Sequence, residues 1–286
     1  MPKTILITGS NQGIGFELSK HFIKKDFNLI LCARNKKKLN EVEKKLLKLK
    51  KKNQKIASYK LDISSEKEIN LFLNKIFKRF KKIDVLINCA GIYGPKGQFE
   101  KLSWSKWKEV IKINLLGSIY LIKKILPHFK KQKKGKIIQF AGGGAASSFP
   151  FFTAYSASKV AIVRFIENIA IEQIKNNISL NCIAPGPVNT RMLNEVLKAG
   201  PNKVGKVFYK KSILQKKNGG TNINKINELV EFLCDEKNHF ITGKLISAQW
   251  DNWKKFRFHK DKLINSDVGT LRRIAGRDRN MNFFDK

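Results

Sequence analysis

The sequence has no long hydrophobic run, few acidic residues and few cysteines, and each shortage argues against a class of protein. No stretch reaches the ~18 uninterrupted apolar residues that a membrane-spanning helix needs. The first residues lead straight into a strand-like segment, without a basic region followed by an apolar run and a cleavage site. We therefore expect a cytoplasmic protein that has no membrane partner.

Cysteine and histidine are too scattered to indicate a disulfide framework or a metal site. The four cysteines are Cys32, Cys89, Cys182 and Cys234. Three of them lie in apolar, strand-like runs, which is typical of reduced, buried thiols. Neither CxxC nor HExxH occurs, and the four histidines are dispersed. We expect no bound metal.

The shortage of acidic residues gives the chain a formal net charge of +36, from 58 basic and 22 acidic residues. Such a charge can attract nucleic acid or anionic membranes, so a basic interaction protein is one hypothesis. However, 49 of the basic residues are lysines spread through every segment, alongside abundant Asn, Ile and Phe. These four amino acids share AT-rich codons, and no basic stretch forms a known nucleic-acid module. Compositional bias fits the charge better than a functional role does, and we expect no specific nucleic-acid partner.

The N-terminal segment has the pattern of a nucleotide-binding strand, turn and helix. Residues 3–8, KTILIT, form an apolar run, which a glycine loop and the amphipathic stretch FELSKHFIKK follow. Glycines permit a tight turn and a close approach of the backbone to a diphosphate at the helix N-terminus. The loop residues expected to contact a dinucleotide are Gly9, Asn11, Gly13, Ile14 and Gly15.

Tyr155 and Lys159 open a long apolar helix in the second half of the chain. Positions four apart share one helix face, so the phenol and the ammonium can point into one site. A nearby cation favours the phenolate, and Lys159 is therefore expected to lower the pKa of Tyr155 toward the range useful for proton transfer. By itself such a pair is common on solvated helices.

Further motifs between and after these two follow in a fixed order. They are Asp62, Asn88-Cys89-Ala90-Gly91, Asn114 and Pro185-Gly186-Pro187-Val188-Asn189-Thr190. From Lys3 to about Trp253, the chain resembles the short-chain dehydrogenase/reductase family in its compact, single-domain branch. Cys89 departs from the second Asn of the family's NNAG motif.

The resemblance implies a doubly wound, Rossmann-type α/β sandwich of three layers with a seven-stranded, mostly parallel sheet. This domain would span residues 1–249, and residues 250–286 would form an extension packed on it or on a partner subunit. A homodimer or homotetramer is implied, with the exposed side of the Tyr155 helix meeting a symmetry mate. Residues 191–220 lie where relatives place a mobile substrate lid.

The family also implies a role for each matching residue. Tyr155 would be the general acid and base, Lys159 would hold the nicotinamide ribose, and Asn114 would bend its helix and support a proton relay. Asp62 would meet the adenine edge and Gly91 the adenosine ribose. The other implied cofactor contacts are Asn88, Ala90, Pro185, Gly186, Val188 and Thr190.

The end of the second strand, Ala33-Arg34, bears on the choice of cofactor. An acidic residue there would bind the ribose 2'-hydroxyl of NAD and repel a 2'-phosphate. Arg34 can instead hold a phosphate through charge-assisted hydrogen bonds. We expect NADP to be preferred, with NAD possible, or else that Arg34 only solvates the strand end.

One position departs from the family pattern in a way that concerns catalysis. The family has a Ser thirteen residues before the Tyr, where this chain has Gly142, and Ala141 before it offers no hydroxyl either. Backbone N–H groups of the glycine run could replace the hydroxyl, Ser147 or Ser148 could reach back, or redox chemistry could be lost. The expected function is an oxidoreductase interconverting a carbonyl and an alcohol on a small substrate. The alternatives are a cofactor-binding protein with little or no turnover and an enzyme of surface-sugar metabolism.

Overall fold

The structure is a computed structural model that describes residues 2–281, except for the side chain of Arg277. Strands β1 to β7 span Thr4–Thr8, Asn28–Ala33, Ile56–Lys60, Val85–Asn88, Gly135–Phe140, Ile178–Ala184 and Leu245–Ser247. Helices α1 to α11 span Gly13–Lys24, Lys36–Leu47, Glu66–Arg79, Trp104–Ile111, Ser118–Gln132, Thr153–Gln173, Arg191–Ala199, Pro201–Val204, Lys206–Asn218, Ile223–Cys234 and Lys260–Ile264. Short 3-10 turns connect several of them.

The strands form one seven-stranded sheet in the order β3-β2-β1-β4-β5-β6-β7, with every neighbouring pair parallel. The expected doubly wound α/β fold is confirmed, and the sheet is entirely rather than mostly parallel. The strand order reverses beside β1, which lies between β2 and β4. In such sheets, a crevice for ligands opens at the carboxyl ends of the strands where the order reverses.

Both faces of the sheet are covered, which is why the strands are apolar runs. Along β1, Ile5 and Ile7 join one buried cluster and Leu6 joins the other. The first cluster takes side chains from α1, α2 and α10, and the second from α3, α5 and α6. The result is three layers with the sheet in the middle.

The chain is helical from Trp104 to Gln132 but changes its winding along the way. A π-helical segment, Lys112–Gly117, separates α4 from α5, and Asn114 lies inside it. The wider π winding shifts the backbone hydrogen bonds by one residue and is often found at functional sites. It is the local distortion that the resemblance implied around Asn114.

The C-terminal segment, residues 250–281, passes around the outer edge of β7 from one face of the sheet to the other. Trp253 and Leu263 are buried in the first cluster, whereas Leu271 packs against the second. On the way, the Leu245 N–H donates to the Gly269 carbonyl at 2.6 Å. This bond occupies an outward-facing backbone group of the edge strand.

Helix α6 fastens this segment through a buried carboxylate. Glu167 accepts a hydrogen bond from the Leu271 N–H at 2.7 Å and pairs with Arg164 at 2.6 Å. Arg164 in turn donates to the Leu271 carbonyl. On the same helix, Val160 and Ile171 remain 41% and 71% exposed. The implied domain boundary at residue 250 and the symmetric oligomer stay predictions.

Within residues 2–281, no helix is both long enough and apolar enough to span a membrane.

Candidate active site

A cleft of about 270 Å³ opens over the carboxyl ends of β1, β2 and β4. Its walls come from the β1–α1 loop, the start of α2, the residues after β3 and β4, and the start of α7. Among the described residues that line it, three are basic, namely Arg34, Lys38 and Arg191, and none is acidic. The cleft therefore suits an anionic ligand.

The glycine loop brings the backbone to the floor of this cleft. Gly9 and Gly13 have φ angles of +66° and +56°, which side chains rarely permit. A Cβ on Gly9 would lie 2.9 Å from the Ala90 Cα, and one on Gly15 would lie 2.5 Å from the Gly9 carbonyl oxygen. Helix α1 therefore begins against β1, and its first turn carries no acidic residue. Its free N–H groups and partial positive charge fit a diphosphate.

The end of β2 adds a second basic residue that the sequence analysis missed. Arg34, Asn35 and Lys38 all line the cleft. The Asn35 side chain caps α2 by accepting from the Lys38 N–H at 3.0 Å, so the first turn of α2 brings Lys38 beside Arg34. The available signal was a capping Asn with a Lys three residues later, directly after the second strand.

Eight of the residues expected to bind a cofactor line the cleft. They are Gly9, Asn11, Gly13, Ile14, Arg34, Ala90, Gly91 and Thr190. Thr190 also caps α7 by accepting from the Met192 N–H at 3.3 Å. Gly15 lies behind the loop, where it permits the close packing described above.

Other expected cofactor residues lie nearby but not in the cleft wall. The Asp62 carboxylate accepts from the N–H and the hydroxyl of Ser64 at 2.9 and 2.8 Å, while Leu61 and Ile63 line the cleft instead. Asn88 is fully buried at the end of β4, and its amide has no hydrogen-bond partner within the described residues.

The loop after β6, with Pro185, Gly186 and Val188, also lies outside the cleft wall. Val188 forms an isolated bridge with Gly220 at the end of the segment predicted as a lid. A Cβ on Gly186 would overlap with Thr221 and Gln249, so this loop packs closely against the residues that follow the lid.

Tyr155 and Lys159 lie one turn apart on α6, and both are buried. The Lys159 ammonium donates to the Phe140 carbonyl at 2.8 Å and lies 5.5 Å from the centre of the Tyr155 ring. It is also 3.8 Å from the position that a Cβ on Gly91 would occupy. Because Gly91 lines the cleft, the pair borders the space for the cofactor.

The third expected catalytic residue, Asn114, binds backbone rather than solvent. Its side chain donates to the Ile92 carbonyl and accepts from the Ile92 N–H, both at 2.9 Å, and donates to the Ser158 hydroxyl at 3.2 Å. Ser158 donates to the Tyr155 carbonyl at 2.7 Å. Asn114 thereby ties the loop after β4 to the first turn of α6.

Burial sets the ionisation of the pair. It raises the pKa of Tyr155 far above its ordinary value, with Tyr93 adding to the effect, and it lowers the pKa of Lys159 to about 8. The pKa of Tyr155 thus moves opposite to the direction expected from the sequence. The physical reason is that desolvation of the phenolate dominates, and the Lys159 ammonium points to the Phe140 carbonyl. Tyr155 is held as a neutral phenol, the form that donates a proton.

Aromatic side chains pack around the ring of Tyr155. The Tyr93 and Tyr155 rings meet edge to face at 4.7 Å, and the Phe149 and Phe152 rings stack at 4.2 Å. Phe208 on α9 packs on Phe149 at 4.9 Å. The predicted lid, residues 191–220, therefore packs through Phe208 on the aromatic cluster beside Tyr155.

An ion pair adds a second connection between the lid and the body. Lys96, in the loop after β4, pairs with Glu195 on α7 at 3.6 Å and lies 5.5 Å from the centre of the Tyr93 ring. Its side chain is 10% exposed, and burial lowers its pKa, an effect that Glu195 opposes. Neither Tyr93 nor Lys96 stands out in the sequence, because their roles depend on a lid contact about 100 residues away.

Within the described part of the chain, no group of three or more His, Cys, Asp or Glu residues could hold a metal ion.

A doubly wound parallel sheet, a glycine-lined crevice at its switch point and a buried Tyr-Lys pair beside it define a nucleotide-dependent oxidoreductase fold. The family model for short chain dehydrogenases matches residues 3–200, and the chain belongs to that family of oxidoreductases. The resemblance seen in the sequence is thereby confirmed.

Relatives cover most of the chain. The 3-oxoacyl-(acyl-carrier-protein) reductase FabG of Buchnera aphidicola subsp. Baizongia pistaciae is 30% identical over 244 residues, which are 85% of this chain and 94% of the relative. ElxO, solved with NADP bound, is 28% identical with a TM-score of 0.73 and covers 87% of this chain and 97% of its own. An NAD+-bound xylitol dehydrogenase is 25% identical with a TM-score of 0.77, covering 86% and 96%.

Proposed function

We propose that the protein is an NADP-preferring reductase or dehydrogenase that interconverts a carbonyl and an alcohol on a small substrate. The observation that carries this proposal is the buried pair of Tyr155 and Lys159 bordering a glycine-lined cleft that has basic side chains but no acidic one.

The preference for NADP rests on the end of β2. In an NAD-binding site, a carboxylate in this position would bind the ribose 2'-hydroxyl. Here Arg34 and Lys38 line the cleft together, beside the capped N-terminus of α2. A guanidinium and an ammonium side by side suit a 2'-phosphate. Among the similar structures, ElxO has NADP bound and a xylitol dehydrogenase has NAD+ bound. Our preference for NADP over NAD therefore depends on Arg34 and Lys38.

Each residue of the site has its own role in the proposed reaction. The bound nicotinamide group supplies the hydride for reduction and accepts it in oxidation. Tyr155, neutral because it is buried, donates the proton to the substrate oxygen. Lys159 is the residue that would hold the nicotinamide ribose, and its ammonium keeps a positive charge near the reacting oxygen. Asn114 positions the loop after β4 and the start of α6 relative to each other.

The surroundings of Tyr155 support a substrate with an apolar portion. Tyr93, Phe149 and Phe152 form the wall next to its ring, and Phe208 of the lid completes it. Aromatic faces also stack on sugar rings, so the alternative of an enzyme of surface-sugar metabolism belongs in the same test.

The test is a calorimetric titration with NADPH and NADH, followed by absorbance at 340 nm with a panel of carbonyl compounds that includes aryl ketones and keto sugars. We expect tighter binding of NADPH and oxidation by at least one compound. Tyr155→Phe should retain NADPH binding and lose turnover. Tight binding without oxidation of NADPH by any compound would favour the cofactor-binding alternative, and absence of dinucleotide binding would contradict both.

A further inference from the structure

The glycine run after β5 lies directly against two hydroxyl groups of α6. A Cβ on Gly142 would overlap with the Tyr155 hydroxyl, and one on Gly144 would lie 2.5 Å from the Ser156 hydroxyl. Real Cβ atoms essentially never approach another atom closer than 3.0 Å. The absence of side chains therefore lets the backbone of this loop reach the position beside Tyr155 where a substrate oxygen must bind.

The same loop carries backbone donors that have no acceptor. The N–H groups of Gly143 and Gly144 donate no hydrogen bond to any residue in the described part of the chain. Gly144 is buried, and buried N–H groups without a partner are rare in folded proteins. Next to Gly143, the direction that a Cβ would take is open space. An acceptor from outside the chain would satisfy these donors.

We propose that the amide N–H groups of Gly143 and Gly144 bind the substrate oxygen beside Tyr155, in place of the hydroxyl that relatives carry at position 142. This proposal rests on the carbonyl–alcohol chemistry proposed above. Backbone donors fixed in advance beside a developing oxyanion are an established way of stabilising a transition state. The missing serine is therefore compensated by the glycine run that replaces it.

A serine at position 142 would not restore the usual arrangement. Gly142 has a φ of +152°, a conformation that L residues rarely adopt, and its Cβ would displace either the loop or the Tyr155 ring. The other candidate hydroxyls differ in their placement. Ser147 and Ser148 are exposed, whereas the Ser156 hydroxyl is buried next to Gly144 and has no hydrogen-bond partner among residues 2–281 as described. Ser156 is thus the rival donor that an experiment has to separate from the amides.

The experiment uses a matched pair at Gly143. Gly143→Pro removes the N–H, whereas Gly143→Ala keeps it and adds a methyl group where nothing lies within 4 Å. Gly142→Ser and Ser156→Ala complete the set. For each full-length variant, kcat, KM, NADPH affinity and the unfolding midpoint are measured with the best carbonyl compound of the panel.

Removal of one donor of this kind lowers kcat by about a hundredfold. We expect that loss for Gly143→Pro and Gly142→Ser, a much smaller loss of kcat for Gly143→Ala, which keeps the N–H donor, and near wild-type kcat for Ser156→Ala, with NADPH affinity unchanged throughout. Full kcat in Gly143→Pro, or faster turnover in Gly142→Ser, would overturn the proposal. A large loss in Ser156→Ala alone would transfer the role to that hydroxyl.

A second measurement does not need turnover. Glycine-selective 15N spectra of the NADP+-bound wild type are recorded while cyclohexanone is added. Binding to the proposed site should move the Gly143 and Gly144 amide resonances downfield. Cyclohexanone binding that leaves both resonances in place would overturn the inference, whereas an absence of NADP+ binding would contradict the proposed function instead.

Discussion

The Asn114 side chain holds both backbone groups of Ile92, accepting from its N–H and donating to its carbonyl, each at 2.9 Å. Replacement by Leu should leave these partly buried groups unpaired and lower the free energy of unfolding by about 1 kcal/mol per group lost. Turnover should fall with it, because the loop after β4 loses its connection to α6. Urea unfolding and kcat measure the two effects. Ser158→Ala, which removes only the 3.2 Å bond to Asn114 and the bond to Tyr155, is the milder control. Equal losses of stability and kcat in the two variants would show that the bonds between Asn114 and Ile92 are not responsible.

The two basic residues at the end of β2 should discriminate between the dinucleotides. Arg34→Ala and Lys38→Ala should each weaken NADPH binding by about tenfold, the effect of ~1.4 kcal/mol, and change NADH binding little. Lys37→Ala, on the same exposed turn but outside the cleft, is the matched control. Calorimetry gives the dissociation constants. Equal weakening of NADH and NADPH would show that these residues do not bind the 2'-phosphate.

The rate of reduction should decline as pH rises through about 8. Lys159 carries its positive charge below its lowered pKa of about 8 and loses it above. The raised pKa of Tyr155 keeps its proton in place over the same range, so the decline is assigned to Lys159. A pH profile of kcat measures this. In Lys159→Arg the decline near pH 8 should disappear, whatever the absolute rate, because arginine keeps its charge.

The same lowered pKa affects stability. Between about pH 8 and the ordinary lysine pKa of 10.5, the unfolded chain binds more protons at this position than the folded chain. The contribution of Lys159 to the free energy of unfolding therefore rises with pH across that interval.

The contact of Phe208 with Phe149 should matter for substrate binding. Phe208→Ala removes the aromatic contacts of α9 with Phe149 and Phe152 beside Tyr155, so KM for the carbonyl compound should increase severalfold while NADPH affinity is retained. Its neighbour Val207 is 70% exposed, and Val207→Ala is the control. Michaelis–Menten measurements decide the matter. An unchanged KM in Phe208→Ala would mean that the lid contact does not control access.

Much of the fold follows from patterns that are local in the sequence. Apolar β-branched runs mark the buried parallel strands, and the glycine spacing after β1 marks the turn into α1. The limits of the helices are less clearly marked: α2 ends at Leu47, and the lysine-rich residues that follow it carry no apolar signal.

The features that could not be predicted depend on distant parts of the chain. The side chain of Asn114 pairs with the backbone of Ile92, 22 residues earlier, and the pKa of Tyr155 depends on how completely the surrounding residues bury it. The position of the C-terminal segment is set by Glu167, about 100 residues before Leu271. No hydrophobic periodicity in residues 250–281 predicts these contacts.

Removal of part of the C-terminal segment should expose the edge of β7. A chain that ends at Ile264 loses the Leu245–Gly269 and Glu167–Leu271 hydrogen bonds, so it should unfold at a lower temperature and elute at a larger apparent size. A chain that ends at Met281 keeps these contacts and is the control. Calorimetry and light scattering measure both effects. Unchanged size and midpoint in the shorter chain would show that the segment does not protect the edge.

The bond between Leu245 and Gly269 also limits how copies of the sheet can be joined. A sheet with two free edges can add a neighbour on either side and grow into an open filament. With the β7 side occupied by the chain itself, the opposite edge strand, β3, is the remaining place for backbone pairing. Edge-to-edge association through β3 then joins two molecules and cannot continue into a polymer.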